Sequence, residues 1–257
     1  MIRRYEAKDV PAVKAALESD IYMLTLLSTY IEAASLQNFD LWLTDSLNVI
    51  IFRHYNSFYI KLYDGADFDE AGIFLDFMPM MRSLCGSPCD VEAILHCLIP
   101  AASSATVEIA ELENSAMLKC SDIKVVTSKA ADDYKEVYLL LQGGVADDRA
   151  INEYTATRLS LDKNGLGKTL FYKADGEVCA TASTAGEIKM AALISDVAVK
   201  ESYRRKRLAT VIVSHLCESL IKGGKMPFVA YTTAEAKMLY EQMGFKHIKS
   251  NTLLYFD

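Results

Sequence analysis

The sequence has no surplus of positive charge, no long apolar run and no apolar leader, and each absence removes a class of function. Its 257 residues hold 27 Lys and Arg against 34 Asp and Glu, a formal net charge of −7. Affinity for phosphate backbones comes from clustered cations, so no nucleic-acid partner is expected. An acidic surface instead suits a cationic acceptor such as an amine. The best apolar candidate, Ala93 to Val107, falls short of the ~20 residues of a membrane span and contains His96 and Pro100, so no membrane partner is expected. Met1-Ile2-Arg3-Arg4 runs straight into Tyr5-Glu6-Ala7-Lys8-Asp9 without an apolar h-region. The expectation is a cytoplasmic protein whose six cysteines are reduced thiols. Cys85, Cys89, His96 and Cys97 crowd together as in a zinc site. On a helix, however, the adjacent His96 and Cys97 side chains diverge by about 100°. These cysteines therefore read as buried structural thiols, and no metal is expected.

What is present is ordinary globular composition, 51% hydrophobic and 24% charged. The length allows one large domain or two of about 120 to 130 residues each. The pattern changes character near residue 122, which suggests domains at 1–121 and 122–257. In the first half, helices are expected over Asp9 to Glu18 and Ile21 to Gln37. Strands follow at Phe39 to Thr44, Leu47 to His54 and Ser57 to Tyr63. Asp67 is placed to cap a helix through Met78, with Glu70 completing a capping box. Strands at Met80 to Cys85, Ala105 to Leu112 and Ala116 to Lys119, and a helix from Cys89 to Leu98, finish this half.

The second half repeats that order. A strand at Ile123 to Thr127 precedes helices at Ala130 to Leu141 and Arg149 to Leu161. Strands at Lys168 to Lys173 and Val178 to Thr184 flank Asp175-Gly176, a strong hairpin pair. A buried strand at Ala191 to Val199, a helix from Arg207 to Lys222, a strand at Pro227 to Tyr231, a helix from Ala234 to Met243 and a β region to Phe256 follow. Both halves thus read as helix, helix, three strands, helix, strand, helix, strand. The fold class is α/β (α+β), in two copies of one architecture, without a residue-level repeat.

One loop stands out. The strand ending in Val197-Ala198-Val199 leads through Lys200-Glu201-Ser202-Tyr203 into four consecutive cations, Arg204, Arg205, Lys206 and Arg207. A helix begins there, with Leu208, small Ala209 and Thr210 in its first turn. Free N–H groups and the helix dipole make such a start an anion site. A solvated helix start is the alternative reading of a charge run. Cations at a helix N-terminus oppose the dipole, however, so that alternative leaves their placement unexplained.

The segment resembles the coenzyme A signature of the GNAT N-acetyltransferase superfamily: a strand ending in Val, then Arg/Gln-x-x-Gly-x-Gly/Ala. Arg204 matches the first position and Ala209 the last; Arg207 stands where the family usually has glycine. Downstream, Ala236-Lys237-Met238-Leu239-Tyr240-Glu241-Gln242-Met243-Gly244-Phe245 is similar to the family's Ala-x-x-x-Tyr-x-x-x-Gly-Phe segment. The resemblance is specific over about residues 190 to 250 and architectural elsewhere. It implies two GNAT-like domains, each a mixed, mainly antiparallel sheet flanked by helices, the first a degenerate copy without a cofactor loop.

It further implies acetyl-CoA as acyl donor and an amine as acceptor. Backbone groups of Val197, Ala198 and Val199 would hold pantetheine, and the loop from Arg204 to Thr210 the pyrophosphate. Thr233 stands where many relatives have Asn, and its hydroxyl would bond a pantetheine amide. Tyr240 would be the general acid that protonates the departing thiolate. For a base, Asp196 on the cofactor strand is the first candidate, Glu187 the second and His247 a third; each also admits a purely structural role. Asn56, Tyr59 and Tyr63 are candidates to line an acceptor cleft or to pack. The activity implied is an N-acetyltransferase working by direct attack, the alternative a non-catalytic acyl-CoA-binding or sensing protein.

Overall fold

The computed structural model describes residues 1–33, 39–121 and 123–257. The chain forms two compact units: Met1–Ile31, Gln37–Ile109 and Lys249–Asp257 make the first, and Glu32–Leu36 with Ala110–Ile248 the second. A single cut after residue 121 does not describe this division. The C-terminal end returns to the first unit because its last strand pairs there, as described below.

The first unit runs β1 (Arg3–Arg4), α1 (Val10–Ala16), α2 (Ile21–Glu32), β2 (Phe39–Leu43), β3 (Val49–His54), β4 (Ser57–Leu62), α3 (Phe68–Asp76), β5 (Ser83–Gly86), α4 (Pro88–Ile94) and the start of β6 (Ser103–Leu112). The expected helix to Gln37 is described only to Glu32; residues 34–38 lie outside the described residues. Val49-Ile50-Ile51-Phe52 is buried throughout, the continuous apolar run of a strand covered on both faces. Strands β1 to β4 pair antiparallel in sequence order, whereas β4 and β5 are parallel, joined by the crossover helix α3. Asp67 caps α3 by accepting from the Glu70 amide at 2.9 Å. The expected capping box does not close, because the Glu70 carboxylate accepts instead from the Ile2 amide at 2.7 Å.

The second unit begins at β6 and continues β7 (Val126–Thr127), α5 (Ala131–Leu141), α6 (Asp148–Lys163), β8 (Thr169–Ala174), β9 (Glu177–Glu187), β10 (Ala191–Val199), α7 (Leu208–Lys222), β11 (Met226–Tyr231), α8 (Ala234–Gln242) and β12 (Phe245–Tyr255). Residues Thr252 to Tyr255 of β12 pair antiparallel with Gly86 to Ser83 in the first unit. The expected strand at Ala116 to Lys119 is instead a 3-10 turn, Ser115–Met117, followed by coil. The Asn114 side chain caps that turn, and Ser214 of α7 accepts from the Lys119 amide at 2.9 Å. With those donors satisfied locally, no ladder forms. In β9 and β10 the small residues Ala180, Ala182 and Ala192 are fully buried against Val213, Leu216 and Leu220 of α7. Small strand side chains let a helix approach closely, which fixes where α7 starts. Among the described residues, no helix is long and apolar enough to cross a membrane.

Candidate functional site

The second unit's site is opened by an irregularity in β10. Its register against β9 shifts between Ser195 and Ala198, so Asp196 and Val197 lie opposite a single residue. This is a β-bulge, which bends a strand and leaves its extra residue outside the ladder. Asp196 adopts a left-handed backbone, φ 50°. On the other side, β10 pairs parallel with β11 only from Ala191↔Met226 to Ile194↔Val229. Beyond that point the two strands no longer pair, and burial along β10 falls from complete at Ala191–Ile194 to partial at Ser195–Val199. Unpaired backbone therefore lines a gap between parallel strands. An amide-bearing chain such as pantetheine can pair with such groups.

The gap leads to the N-terminus of α7. Arg204, Arg205, Lys206 and Arg207 are all exposed, and Arg205 and Arg207 both sit at φ 61°. The backbone at 207 thus keeps the conformation that glycine adopts freely, although arginine occupies it. Side chains of Asp67, Ser87, Asp147 and Thr233 cap α3, α4, α6 and α8, whereas Arg207 provides no cap to α7. Among the described residues, no protein group accepts from the amides of Arg205 through Thr210. Six consecutive free donors, the dipole of α7 and surrounding cations make a cradle for an anion. Leu208 is buried and pins the helix start to the core. Lys206 lies 4.4 Å from the Tyr203 ring, whose hydroxyl donates to Asp175 at 3.2 Å, so the loop is tied to the β8–β9 turn.

Tyr240 lies in the core cluster of the second unit, and Asp196 lies on the bulge of β10. Tyr240 is 6% exposed and packs at 5.5 Å from the Tyr231 ring and 5.4 Å from Phe245, in the cluster that Val197 and Val199 also join. Burial pushes its phenol pKa well above the ordinary value, so it stays protonated. Gly244 fixes its surroundings: at φ 90°, an added Cβ would meet the Asn114 carbonyl oxygen at 2.3 Å. The Thr233 hydroxyl accepts from the Ala236 amide at 3.2 Å, which leaves its own proton as the donor it can offer a ligand.

Asp196 points toward α6. Its carboxylate accepts from the Tyr154 hydroxyl at 2.9 Å and lies 3.9 Å from the Arg158 guanidinium. Arg158 is buried and also donates to the carbonyls of Thr184 and Lys168 and to the Thr169 hydroxyl, at 2.7 to 2.8 Å. Neither Tyr154 nor Arg158 was visible as a site residue in the sequence; each is an ordinary helix position until the fold brings β10 beside it. A cavity of about 590 Å³ opens beside α5 and the end of β10, among Leu139, Gly143, Gly176, Val199, Lys200 and Arg204.

The remaining candidates go elsewhere. Glu187 is 3% exposed, pairs with Lys225 at 2.6 Å and accepts from Thr184 at 2.9 Å, at the start of β10 rather than at its bulge. His247 is exposed on β12. In the first unit Tyr59 stacks on Phe52 at 4.7 Å, and Tyr63 donates to the Ala16 carbonyl, so both pack. The Asn56 carbonyl accepts from the Arg82 amide at 2.9 Å. Helix α3, the first unit's counterpart of α7, opens with Asp67, Asp69 and Glu70 and carries its own cap, which turns an anion away.

With this geometry in hand, comparison with known proteins places it among related folds. Residues 150–254 match the family model of GNAT acetyltransferase. Among curated proteins, none matches the chain. A Drosophila protein of solved structure is similar over 100% of this chain and 98% of its own, with a TM-score of 0.72 at 11% identity. A tandem GNAT protein from the clavulanic acid biosynthesis pathway is similar over 99% and 97%, with a TM-score of 0.65 at 10% identity. A GCN5-related N-acetyltransferase-like protein from Streptococcus suis covers 97% and 99%, with a TM-score of 0.62 at 17% identity. The fold is that of a tandem GNAT protein, two mixed, mainly antiparallel units of one architecture.

Proposed function

We propose that the second unit binds acetyl-CoA and transfers its acetyl group to a primary amine of a small molecule or peptide. The observation that carries this reading is the run of free amides from Arg205 to Thr210, lying directly beyond the bulged, unpaired end of β10. The pyrophosphate sits on those amides and the cations around them. Pantetheine follows the exposed backbone of Val197, Ala198 and Val199 toward the bulge, with the Thr233 hydroxyl donating to one of its amides.

The acceptor approaches from the α5–α6 face, where the cavity and Asp196 lie. An alkyl ammonium with a pKa of about 10.4 must lose a proton to attack, and Asp196 accepts it, directly or through water. The amine lone pair then adds to the thioester carbonyl. The resulting oxyanion is stabilised by backbone N–H at the bulge. Asp196 passes the first proton to solvent and accepts the second from the nitrogen of the intermediate. As the intermediate collapses the C–S bond breaks, and the leaving thiolate takes the Tyr240 proton. Solvent reprotonates Tyr240.

A second reading, a non-catalytic acyl-CoA sensor, is favoured by two observations. Arg207 puts a Cβ where the backbone meets the ligand, and the Thr233 oxygen already serves as a helix cap. Calorimetry with acetyl-CoA tests what both readings share, since absence of binding removes both. Thiol release across a panel of amines separates them: acceptor-dependent release supports transfer, and tight binding without release supports the sensor.

A further inference from the structure

We propose that Asp69, His96 and Cys97 of the first unit form a zinc-binding site. Among the described residues, these are the only three His, Cys, Asp or Glu side chains whose ligand atoms all lie within 4.8 Å of one another. The His96 Nε2 is 2.7 Å from Asp69 Oδ1, and the Cys97 Sγ is 3.8 Å from the same oxygen. One thiolate, one imidazole and one carboxylate make a mixed soft and hard donor set that suits zinc, with water in the fourth position. Metal binding displaces the Cys97 thiol proton to solvent.

His96 and Cys97 close a 3-10 turn, Leu95–Cys97, in which adjacent side chains also diverge, yet the Asp69 Oδ1 lies within 3.8 Å of both the imidazole and the thiol. The third donor differs from expectation: Asp69, 27 residues upstream, takes the place of Cys85 and Cys89. Cys85 is buried in β5, and Cys89 is exposed on α4.

A separate packing observation brings the thiol to the carboxylate. Gly72 of α3 faces Cys97 so closely that an added Cβ would lie 2.5 Å from the Cys97 Cβ. Only glycine allows the turn to press its thiol against the first turns of α3. That helix carries Asp69, Glu70 and Asp76 and no cation in its last turn, so the local field favours a cation. His96 and Asp69 are 60% and 73% exposed, which gives an ion free access.

The test uses the full chain, stripped with chelator and kept reduced by a phosphine, titrated with cobalt(II) by absorption and with zinc by calorimetry. One equivalent of cobalt should produce intense visible bands and a near-ultraviolet sulfur-to-metal band, which zinc then displaces. Cys97→Ser should abolish the sulfur band, and His96→Ala should weaken zinc binding by about tenfold or more. No band and no heat in the wild type overturns the proposal. A sulfur band that persists in Cys97→Ser overturns it too, because another cysteine then holds the ion. Should Cys97→Ser fail to fold, the exposed variants His96→Ala and Asp69→Asn decide: unchanged zinc affinity in both overturns the site.

Discussion

The Tyr154 hydroxyl donates to the Asp196 carboxylate at 2.9 Å, joining the middle of α6 to the bulge of β10 across 42 residues of sequence. Asp196 stands in a left-handed conformation that costs an L-residue roughly 1–2 kcal/mol, and this bond together with Arg158 holds it there. The aspartate is therefore both the anchor of the irregular strand and the proposed base.

Those two roles separate by mutation. Asp196→Asn keeps an acceptor for Tyr154 but removes basicity, so turnover should fall by about 100-fold or more while acetyl-CoA affinity changes little. Steady-state kinetics and calorimetry on the same preparation measure both. Turnover that survives in Asp196→Asn would leave the residue as an anchor alone. Tyr154→Phe should cost about 1 kcal/mol in urea unfolding, the scale of one hydrogen bond, and lower turnover less than Asp196→Asn.

Tyr240 supplies a different pH signature. Its buried phenol ionises only well above the ordinary value of about 10, so the proton needed by the thiolate is present throughout the neutral and moderately alkaline range. The rate of thiol release should therefore show no alkaline fall below about pH 10 that belongs to this residue. Tyr240→Phe should reduce kcat by about 100-fold with little change in acetyl-CoA binding. Normal turnover in that variant at every pH would remove Tyr240 from the chemistry.

How far the sequence carried this site depends on whether its parts are local. The cationic loop and the Tyr240–Gly244-Phe245 segment are contiguous, and their order of strand, loop and helix was legible from periodicity and turn residues. The hairpin at Asp175-Gly176 was legible for the same reason, and both residues have positive φ. The bulge was not, because a register shift between Ser195 and Ala198 is set by the facing strand β9. Arg158 was hidden likewise: its partners Lys168, Thr184 and Asp196 come from the residue before β8, from β9 and from β10. The return of β12 to the first unit is a long-range pairing that no local pattern announces.

Arg207 is the position where sequence and backbone disagree, and this gives a stability test. Glycine at φ 61° carries no Cβ penalty, so Arg207→Gly should stabilise the fold by about 1 kcal/mol in urea unfolding. Arg207→Ala retains the Cβ and should gain nothing comparable. The glycine variant should also bind acetyl-CoA more tightly, because backbone amides can approach the pyrophosphate. Weaker binding with a shallower salt dependence would instead make the guanidinium a phosphate ligand.

The first unit carries its own pH-dependent element in His54. The ring stacks on Tyr30 at 4.1 Å, and its Nε2 is buried without a hydrogen-bond partner among the described residues. Burial lowers its pKa from 6.5 to about 4. Above pH 6.5 the ring is neutral in both folded and unfolded chains, and it imposes no pH dependence. As the pH falls from 6.5 toward 4, the unfolded chain takes up a proton that the folded chain does not, so stability drops. Below about 4 both forms are protonated and the loss is complete, at about 3 kcal/mol. His54→Phe keeps an aromatic ring against Tyr30 and removes the titrating, unpartnered nitrogen. Urea midpoints should therefore fall between neutral pH and about pH 5 more steeply in the wild type than in this variant. Parallel slopes would mean that the ring charges in the folded state, with solvent reaching Nε2 as acid is added.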